Sequence, residues 1–423
     1  MRRHGTSCPS TVRAAKEATM TATADVVIVG GGVIGASTAF HLASRGVKRI
    51  ILCERHWLAA GASGKSGALV RMHYTNEPEA RLAHASLAYF RNWDEIVGAG
   101  TAGFLNTGMV RLVDESNVSK LHANVEMLER LGVNTSIVGP AELKEIAPSW
   151  KVDDVVSAAY EPDSGCADPV ATTHGFAERA RQLGMEIRTH TEVTAVLHAG
   201  GTVKGVETTT GPISAPVVIV AGGAWAVPLL GSLGVDVVLR PVRVQVALFR
   251  RPPEIGGLHP ICIDGINELW LRPEGPDWGS TLVGVAGRYS PLEDPDNFNE
   301  GVDGPYVPRA RAGLATRMPG MADSPMRGGW AGAITMTADG KPVLDRHTEI
   351  NGLFYFAGDN GSSFKTAPAI GRAFAEWVVD GQSTSIDVRP FRASRFAENA
   401  PLVGEHEYGD RDYDYVRARV MLG

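Results

Sequence analysis

A glycine-rich turn near the start of the chain restricts the fold more than any other feature. The turn, residues 30–35 (GGGVIG), directly follows the apolar run 25–29 and precedes residues 36–46, whose apolar side chains recur at helical spacing up to a glycine. A second apolar run, 48–53, ends at Glu54, roughly 20 residues beyond the last glycine of the turn. This order predicts a βαβ unit in a parallel sheet, with a site for the pyrophosphate of a dinucleotide.

Each glycine of the turn has a separate predicted role. Gly30 permits the tight turn, Gly32 lets the backbone approach the pyrophosphate, and Gly35 allows the helix to pack closely on the strand. The N-terminus of the helix offers N–H groups to the phosphates, and Glu54 is expected to accept hydrogen bonds from the adenosine ribose. These residues do not distinguish FAD from NAD, and a glycine-rich turn without a ligand is the alternative.

A second glycine-rich segment is similar to the phosphate-binding loop of nucleoside triphosphatases. Residues 59–66 (AAGASGKS) match the pattern GxxxxGK[ST] except at its first glycine. The segment also follows a loop, whereas a phosphate loop follows a strand directly. An NTPase is therefore a weak alternative.

Composition excludes several other classes of protein. The 423 residues are 44% hydrophobic and 21% charged with a net charge of −6, so a nucleic-acid partner is not expected. The four cysteines show no metal-binding spacing, and no apolar stretch reaches the roughly 18 residues of a membrane span. Residues 1–20 lack the apolar core of a secretory signal. We expect a cytoplasmic protein without a metal site, with residues 1–23 as a disordered extension.

Residues 58–71 (LAAGASGKSGALVR) resemble the D-amino-acid-oxidase-like flavoproteins, in particular the sarcosine oxidase branch. The resemblance extends over about residues 24–400, and the further segments that carry it are 159–165, 192–193, 217–225, 330–342 and 354–365. It implies an α/β fold (α+β overall), with a Rossmann-like FAD-binding domain and a second domain built on a mostly antiparallel sheet. The implied FAD-binding domain is discontinuous (24–90, 156–235 and 328–385), residues 91–155 and 236–327 form the substrate domain, and 386–423 form a C-terminal tail that wraps over the surface.

The family resemblance also implies which residues bind FAD. A strand at 353–357 leads into a glycine-rich loop and then a helix from about 366 to 379, with Pro368 in its first turn. In the family this helix points its positive end at the pyrimidine edge of the flavin, where reduction places negative charge. The implied FAD-binding residues are Gly30, Gly32, Val33, Ile34, Gly35, Glu54, Arg55, Ser63, Ser66, Gly67, Val193, Gly222, Trp225, Gly358, Gly361, Ser362, Ser363, Phe364 and Lys365.

Arg71, Lys365 and Tyr74 match the family positions that surround the substrate. A carboxylate in an apolar pocket needs a cation with directed hydrogen bonds, and the resemblance assigns this role to Arg71 and Lys365, with Tyr74 lining the same pocket. The implied reaction oxidises the carbon–nitrogen bond of a small N-methyl or secondary amine or amino acid, with hydride transfer to flavin N5 and hydrolysis of the imine. A D-amino acid, a proline-like ring or an opine is the alternative substrate. A flavin-binding scaffold subunit is the other alternative, against which the presence of both cations argues.

Two positions depart from the family pattern. Gly332 falls where monomeric sarcosine oxidases carry the cysteine that links the flavin, so we expect noncovalent FAD. Val283 falls where those enzymes carry an oxygen-activating lysine, which predicts slow reaction with oxygen and leaves oxygen or another carrier as the electron acceptor. Trp270 is expected either to roof the pocket or to lie in the core. The sequence is compatible with a monomer or an oligomer.

Overall fold

The structure is a computed structural model, and it describes residues 22–275, 279–286 and 289–408. Its two largest sheets are a mostly parallel sheet of six strands and a mostly antiparallel sheet of nine strands. The predicted fold class is therefore confirmed. Among the residues described, no helix combines the length and the apolar character needed to cross a membrane.

The six-stranded sheet contains the predicted βαβ unit. Its neighbouring strands are parallel apart from one antiparallel pair at the edge, between Val343–Arg346 and Leu353–Ala357. Val26–Val29 lies inside the sheet and is buried along its whole length, which explains its continuous apolar character. The strands in spatial order are Val343–Arg346, Leu353–Ala357, Val217–Val220, Val26–Val29, Ile50–Cys53 and Glu186–Arg188.

Three helices pack together against this sheet: Val33–Ser44, Pro169–Gln182 and Ala367–Asp380. The first and the third lie close to their predicted bounds, 36–46 and about 366–379, and Gly46 has the left-handed φ of +87° expected just after the first helix. The other α-helices are Glu77–Arg91, Trp93–Ile96, Val118–Arg130, Pro140–Ile146, Ala226–Ser232 and Tyr306–Arg317. Short 3₁₀ turns lie at Ser63–Lys65, Glu115–Asn117, Gly223–Trp225, Pro253–Ile255, Pro319–Met321, Arg389–Phe391 and Ala393–Arg395.

The nine-stranded sheet faces the first across a cavity. Its pairs are antiparallel except for Ile261–Asp264 with Met109–Leu112. In spatial order it contains Ser290–Pro291, Arg240–Arg250, Ser280–Val285, Leu269–Glu274, Ile261–Asp264, Met109–Leu112, Ala158–Glu161 and Ser136–Val138, and Met326–Met336 also pairs with Arg240–Arg250. Ala158–Glu161 and most of Met326–Met336 come from segments that the sequence assigned to the FAD-binding domain. Those domain bounds stay a prediction.

Two smaller sheets complete the architecture. Leu69–Val70 pairs with Gly165–Cys166, which fixes the chain immediately before Arg71. The other sheet contains Ala22–Thr23, Ile213–Ser214, Thr202–Thr208 and Val193–Ala199 in that order. Ala22 and Thr23 pair in parallel with Ile213–Ser214, so the predicted disordered extension is wrong for these two residues. The rest of that prediction, residues 1–21, lies outside the described residues.

The C-terminal tail is packed more deeply than the sequence indicated. Arg395 is 0% exposed, and its Nε donates to Asp339 Oδ2 at 2.8 Å. Phe391 is also fully buried, and Tyr408 is 4% exposed. The prediction of a surface-wrapping tail is therefore wrong for these side chains, because a buried ion pair and apolar contacts hold them in the interior. Residues 409–423, which include Tyr413 and Tyr415, lie outside the described residues.

Candidate active site

A cavity of about 470 Å³ lies between the two large sheets, and most of the predicted site residues line it. Three do not: Gly35, Gly358 and Tyr74 lie behind its wall. The predicted residues along the lining are Gly30, Gly32, Val33, Ile34, Glu54, Arg55, Ser63, Ser66, Gly67, Arg71, Val193, Gly222, Trp225, Gly361, Ser362, Ser363, Phe364 and Lys365.

One end of the cavity meets the N-terminus of helix Val33–Ser44. Gly32 is the N-cap and has no side chain of its own to cap the helix, and the first turn has no acidic residue. A Cβ on Gly30 would lie 2.6 Å from the main-chain oxygen of Ala221, and one on Gly35 would lie 2.0 Å from that of Gly30. Only glycine therefore fits at either position, and the helix N-terminus that results suits a pyrophosphate.

Glu54 is held rigidly at the end of strand Ile50–Cys53. Its Oε2 accepts from Gly31 N at 2.7 Å, and its Oε1 accepts from His56 N at 2.8 Å. A carboxylate has about four acceptor positions, so both oxygens keep capacity for the ribose hydroxyls of a dinucleotide. The position of the Glu54 carboxylate fits the adenosine part of FAD. The hydrogen bond from the adenosine ribose to Glu54 stays a prediction.

Asp296 joins two of the predicted residues across the cavity. Its Oδ1 accepts from Arg55 Nη2 at 2.8 Å and from Trp225 Nε1 at 2.7 Å. The Arg55 guanidinium also lies 5.7 Å from the centre of the Trp225 ring. Sequence reasoning did not find Asp296, because it lies in an acidic loop with no motif to mark it.

The other end of the cavity meets the N-terminus of helix Ala367–Asp380, whose first turn includes Pro368 as predicted. Gly358 has a φ of +66°, and a Cβ there would lie 2.2 Å from Thr337 Cγ2, so it shapes the loop from behind. Asn360 locks the same loop, since its Oδ1 accepts from Thr337 N at 3.0 Å and its Nδ2 donates to the Gly358 oxygen at 2.6 Å. This helix end and its glycine loop fit the flavin part of FAD.

Arg71, Tyr74 and Lys365 lie together at this end of the cavity. The centre of the Tyr74 ring is 4.7 Å from Arg71 Cζ and 5.2 Å from Lys365 Nζ. Lys365 Nζ donates to the Ser362 oxygen at 2.7 Å, and Tyr74 Oη donates to the same oxygen at 3.4 Å. One aromatic ring thus holds two cations side by side, and both cations line the cavity.

Glu161 is an acidic group that sequence reasoning missed beside these cations. Its carboxylate is fully buried and accepts from Ser164 Oγ at 2.6 Å and from Met72 N at 3.0 Å. Burial raises its pKa to about 6, although both hydrogen bonds and the charges of Arg71 and Lys365 act in the opposite direction. Glu161 lies within the segment 159–165 that carries the family resemblance, but its spacing gives no sign of a functional carboxylate.

The structure corrects the prediction made for Val283. Its side chain is fully buried on the far side of strand Ser280–Val285, in the apolar cluster that contains Phe249, and it does not line the cavity. Leu282 and Gly284 face the cavity side instead, where they pack against Trp270. Val283 therefore carries no information about a reaction with oxygen.

Trp270 has both of the roles expected for it. It lines the cavity and is 9% exposed. A Cβ on Gly67 would lie 2.4 Å from its ring, and one on Gly284 would lie 2.2 Å from it, so the indole lies flat across two glycines. Gly332 also lines the cavity, and a Cβ there would lie 3.1 Å from Lys65 Cβ.

The segment that imitates a phosphate loop does not form one. Residues Ser63–Lys65 make a single 3₁₀ turn that leads towards strand Leu69–Val70, where a phosphate loop would enter a helix. Ser63 Oγ instead accepts from Val33 N at 2.9 Å, at the N-terminus of the dinucleotide helix. The NTPase alternative is therefore excluded by the local geometry, and this loop forms part of the dinucleotide site.

A dinucleotide turn in a parallel sheet, facing an antiparallel sheet across a cavity that ends at paired cations, defines the class of two-sheet FAD-dependent oxidoreductases. The model of the family described as DAO, FAD dependent oxidoreductase, matches residues 25–377. The chain belongs to this family and is FAD-dependent.

Three similar proteins illustrate the family. The chain is 30% identical to the 4-methylaminobutanoate oxidase (formaldehyde-forming) of Paenarthrobacter nicotinovorans, over 86% of its own length and 45% of that protein's. It is 26% identical to the sarcosine oxidase subunit beta of an Arthrobacter species, over 90% and 93% of the two chains. The L-proline dehydrogenase of P. horikoshii superposes with a TM-score of 0.83 at 26% identity, over 90% and 100% of the two chains. The chain thus spans about half the length of the methylaminobutanoate oxidase.

Proposed function

We propose that the protein oxidises the carbon–nitrogen bond of a small secondary or N-methyl amino acid. The observation that carries this proposal is the pair of cations, Arg71 and Lys365, on the Tyr74 ring at the flavin end of the cavity. The substrates named in 4-methylaminobutanoate oxidase, sarcosine oxidase and proline dehydrogenase are all secondary amines with a carboxylate. A carboxylate bound by both cations would hold such an amine in one orientation.

Arg71 and Lys365 have two effects on a bound amino acid. Their charged N–H groups bind its carboxylate, which fixes the carbon to be oxidised. Their positive charges also disfavour the ammonium form of the substrate, so its amine is held neutral with a free electron pair. Glu161 offsets part of this positive charge from behind the cavity wall. FAD, when bound, supplies a hydride acceptor, so no strong base is required.

The side chains around the cations restrict the access of water to the reacting carbon. Trp270 covers one wall, and Tyr74 lies behind the two cations. Water reaches the imine product later and hydrolyses it to an amine and a carbonyl compound, which is formaldehyde when an N-methyl group is oxidised. A D-amino acid, a proline-like ring or an opine would meet the same cations, so these remain alternative substrates.

Anaerobic mixing of the FAD-loaded protein with a panel of amines tests the proposal. Sarcosine, 4-methylaminobutanoate and proline are expected to bleach the visible absorbance of the flavin, with D-alanine and an opine as the rival substrates. If none of them bleaches a flavin that dithionite reduces normally, the protein is not an oxidase or dehydrogenase of these compounds, and the scaffold alternative gains support. Readmission of air then separates an oxidase from an enzyme that uses another acceptor.

A further inference from the structure

A segment near the C-terminus packs against the loop that carries Arg71. We call residues 400–408 the C-terminal segment and residues 71–75 the arginine loop. A Cβ on Gly404 would lie 2.2 Å from the main-chain oxygen of Thr75, so the two backbones are in direct contact. Asn124 Nδ2 holds the segment from the other side by donating to the His406 oxygen at 2.9 Å. The C-terminal segment is therefore seated in a fixed position.

Tyr408 makes a buried contact between the two segments. Its Oη lies 2.5 Å from His73 Nε2, and the two rings are stacked at 13° with their centres 5.9 Å apart. The Arg111 guanidinium covers Tyr408, with Cζ 4.6 Å from the ring centre. His73 and Tyr408 are each 4% exposed, and neither lines the cavity.

His73 transmits this contact to Arg71. Its main-chain oxygen accepts a hydrogen bond from Arg71 Nη1, so the position of His73 is one of the contacts that hold the guanidinium, beside its packing on the Tyr74 ring. Burial and the neighbouring Arg111 and Arg71 charges lower the pKa of His73 well below its usual value. The ring is thus neutral, and its bond to Tyr408 is a local, directional contact that fixes its orientation.

We propose that Tyr408 is a positioning residue for substrate recognition: through His73 it holds the Arg71 guanidinium ready for the substrate carboxylate. The proposal rests on the proposed function of Arg71. A long side chain that must be ordered at each binding event loses affinity, so an arginine held in place beforehand binds a carboxylate more tightly. Tyr408 itself touches neither substrate nor flavin.

Tyr408→Phe tests this role, because it keeps the ring and its stacking and removes only the hydroxyl. Tyr355→Phe is the matched control, since Tyr355 is also 4% exposed but lies in strand Leu353–Ala357 of the other sheet. We expect Tyr408→Phe to raise KM for the amino-acid substrate about threefold to tenfold with kcat nearly unchanged. A secondary amine without a carboxylate should show no change, because it does not use Arg71.

A binding measurement separates this proposal from the proposed function. Acetate is titrated into each FAD-loaded protein and followed by the shift of the flavin absorbance, which needs no turnover. Weaker acetate binding in Tyr408→Phe than in Tyr355→Phe would support the positioning role even if no panel amine were oxidised. Equal acetate affinities in the two variants, or an equal loss with the carboxylate-free amine, would overturn it. Thermal unfolding of both variants shows whether either change acts through general stability.

Discussion

At the scale of single residues, Arg71 is the side chain whose loss has the clearest expected consequence. Arg71→Met keeps the length and apolar part of the side chain but removes the charged donors for the carboxylate. We expect kcat/KM for the amino-acid substrate to fall about 30- to 1000-fold, or roughly 2 to 4 kcal/mol, because a charge-assisted interaction is lost in a confined site. FAD content, measured by absorbance, should stay at the wild-type level.

Arg311→Met is the matched control for this variant. The Arg311 guanidinium stacks on Phe249 at 5.1 Å, much as Arg71 stacks on Tyr74, but Arg311 does not line the cavity. Its kinetics should match those of the wild type. Unchanged kinetics in Arg71→Met with full FAD content would show that Arg71 does not bind substrate.

Glu161 leads to a prediction about stability and pH. Because burial raises its pKa from 4.5 to about 6, the folded protein binds a proton at Glu161 more tightly than the unfolded chain does. Stability is therefore lost as the pH rises between these two values, by about 2 kcal/mol once Glu161 is ionised. Glu161→Gln should have a higher free energy of unfolding than the wild type at about pH 7.5, and the difference should vanish below pH 4.5.

Urea unfolding at several pH values, followed by circular dichroism, measures this difference. Glutamine keeps an oxygen to accept from Met72 N and Ser164 Oγ, which both use Oε2, while it removes the charge. A variant that is less stable than the wild type at neutral pH would show that the two cations stabilise the carboxylate more than burial disfavours it. The ionised Glu161 would then stabilise the folded protein as a counter-ion of the two cations, and its burial would not lower the free energy of unfolding.

At the scale of elements, the helix that follows the glycine turn depends on one close contact. A Cβ at Gly35 would lie 2.0 Å from the Gly30 oxygen, so Gly35→Ala must move the helix away from the strand. We expect a loss of about 1 to 3 kcal/mol in stability together with weaker FAD binding. Thermal unfolding with and without added FAD measures both effects.

Gly231→Ala supplies the contrast, because a Cβ there meets nothing within 4 Å in helix Ala226–Ser232. Alanine at that position should leave FAD binding unchanged and stabilise the protein by about 0.5 to 1 kcal/mol. Equal behaviour of the two variants would mean that the contact at Gly35 relaxes without cost.

The elements also show what the sequence could and could not predict. Strand Leu353–Ala357 was predicted at its observed bounds, because turn residues flank the apolar run. The side of the sheet on which the Val283 side chain lies could not be predicted from the sequence. Every residue of Ser280–Val285 is buried, so no alternation of polar and apolar side chains marks which face meets the cavity.

Glu161 and Asp296 were missed for a different reason. Each acts through a contact between segments that are far apart in the chain, such as Asp296 with Arg55 and Trp225. The spacing of residues along the sequence does not predict a contact of this kind. The glycine turn and Glu54 could be predicted because their spacing is fixed within one βαβ unit.

At the scale of the whole molecule, the attachment of FAD can be predicted from the lining of the cavity. Gly332 carries no side chain that could bond to the flavin, and Cys166 and Cys262 do not line the cavity. Cys53 lines the cavity next to Glu54, at the end that fits the adenosine part of FAD and away from the flavin. We expect acid precipitation to release FAD into the supernatant. A pellet that keeps its yellow colour and fluorescence would show a covalent bond. Removal of FAD should also lower the unfolding temperature, because a ligand that binds only the folded state stabilises it.

The position of strand Val26–Val29 inside the parallel sheet has a consequence for how the protein is made. One neighbour, Ile50–Cys53, follows it closely in the chain, but the other, Val217–Val220, is translated roughly 190 residues later. At about 5 to 20 residues per second, a ribosome needs roughly 10 to 40 s to supply that partner. During this interval an entirely apolar strand has an open edge. The nascent chain therefore exposes an aggregation-prone edge at a strand that is buried along its whole length in the finished protein.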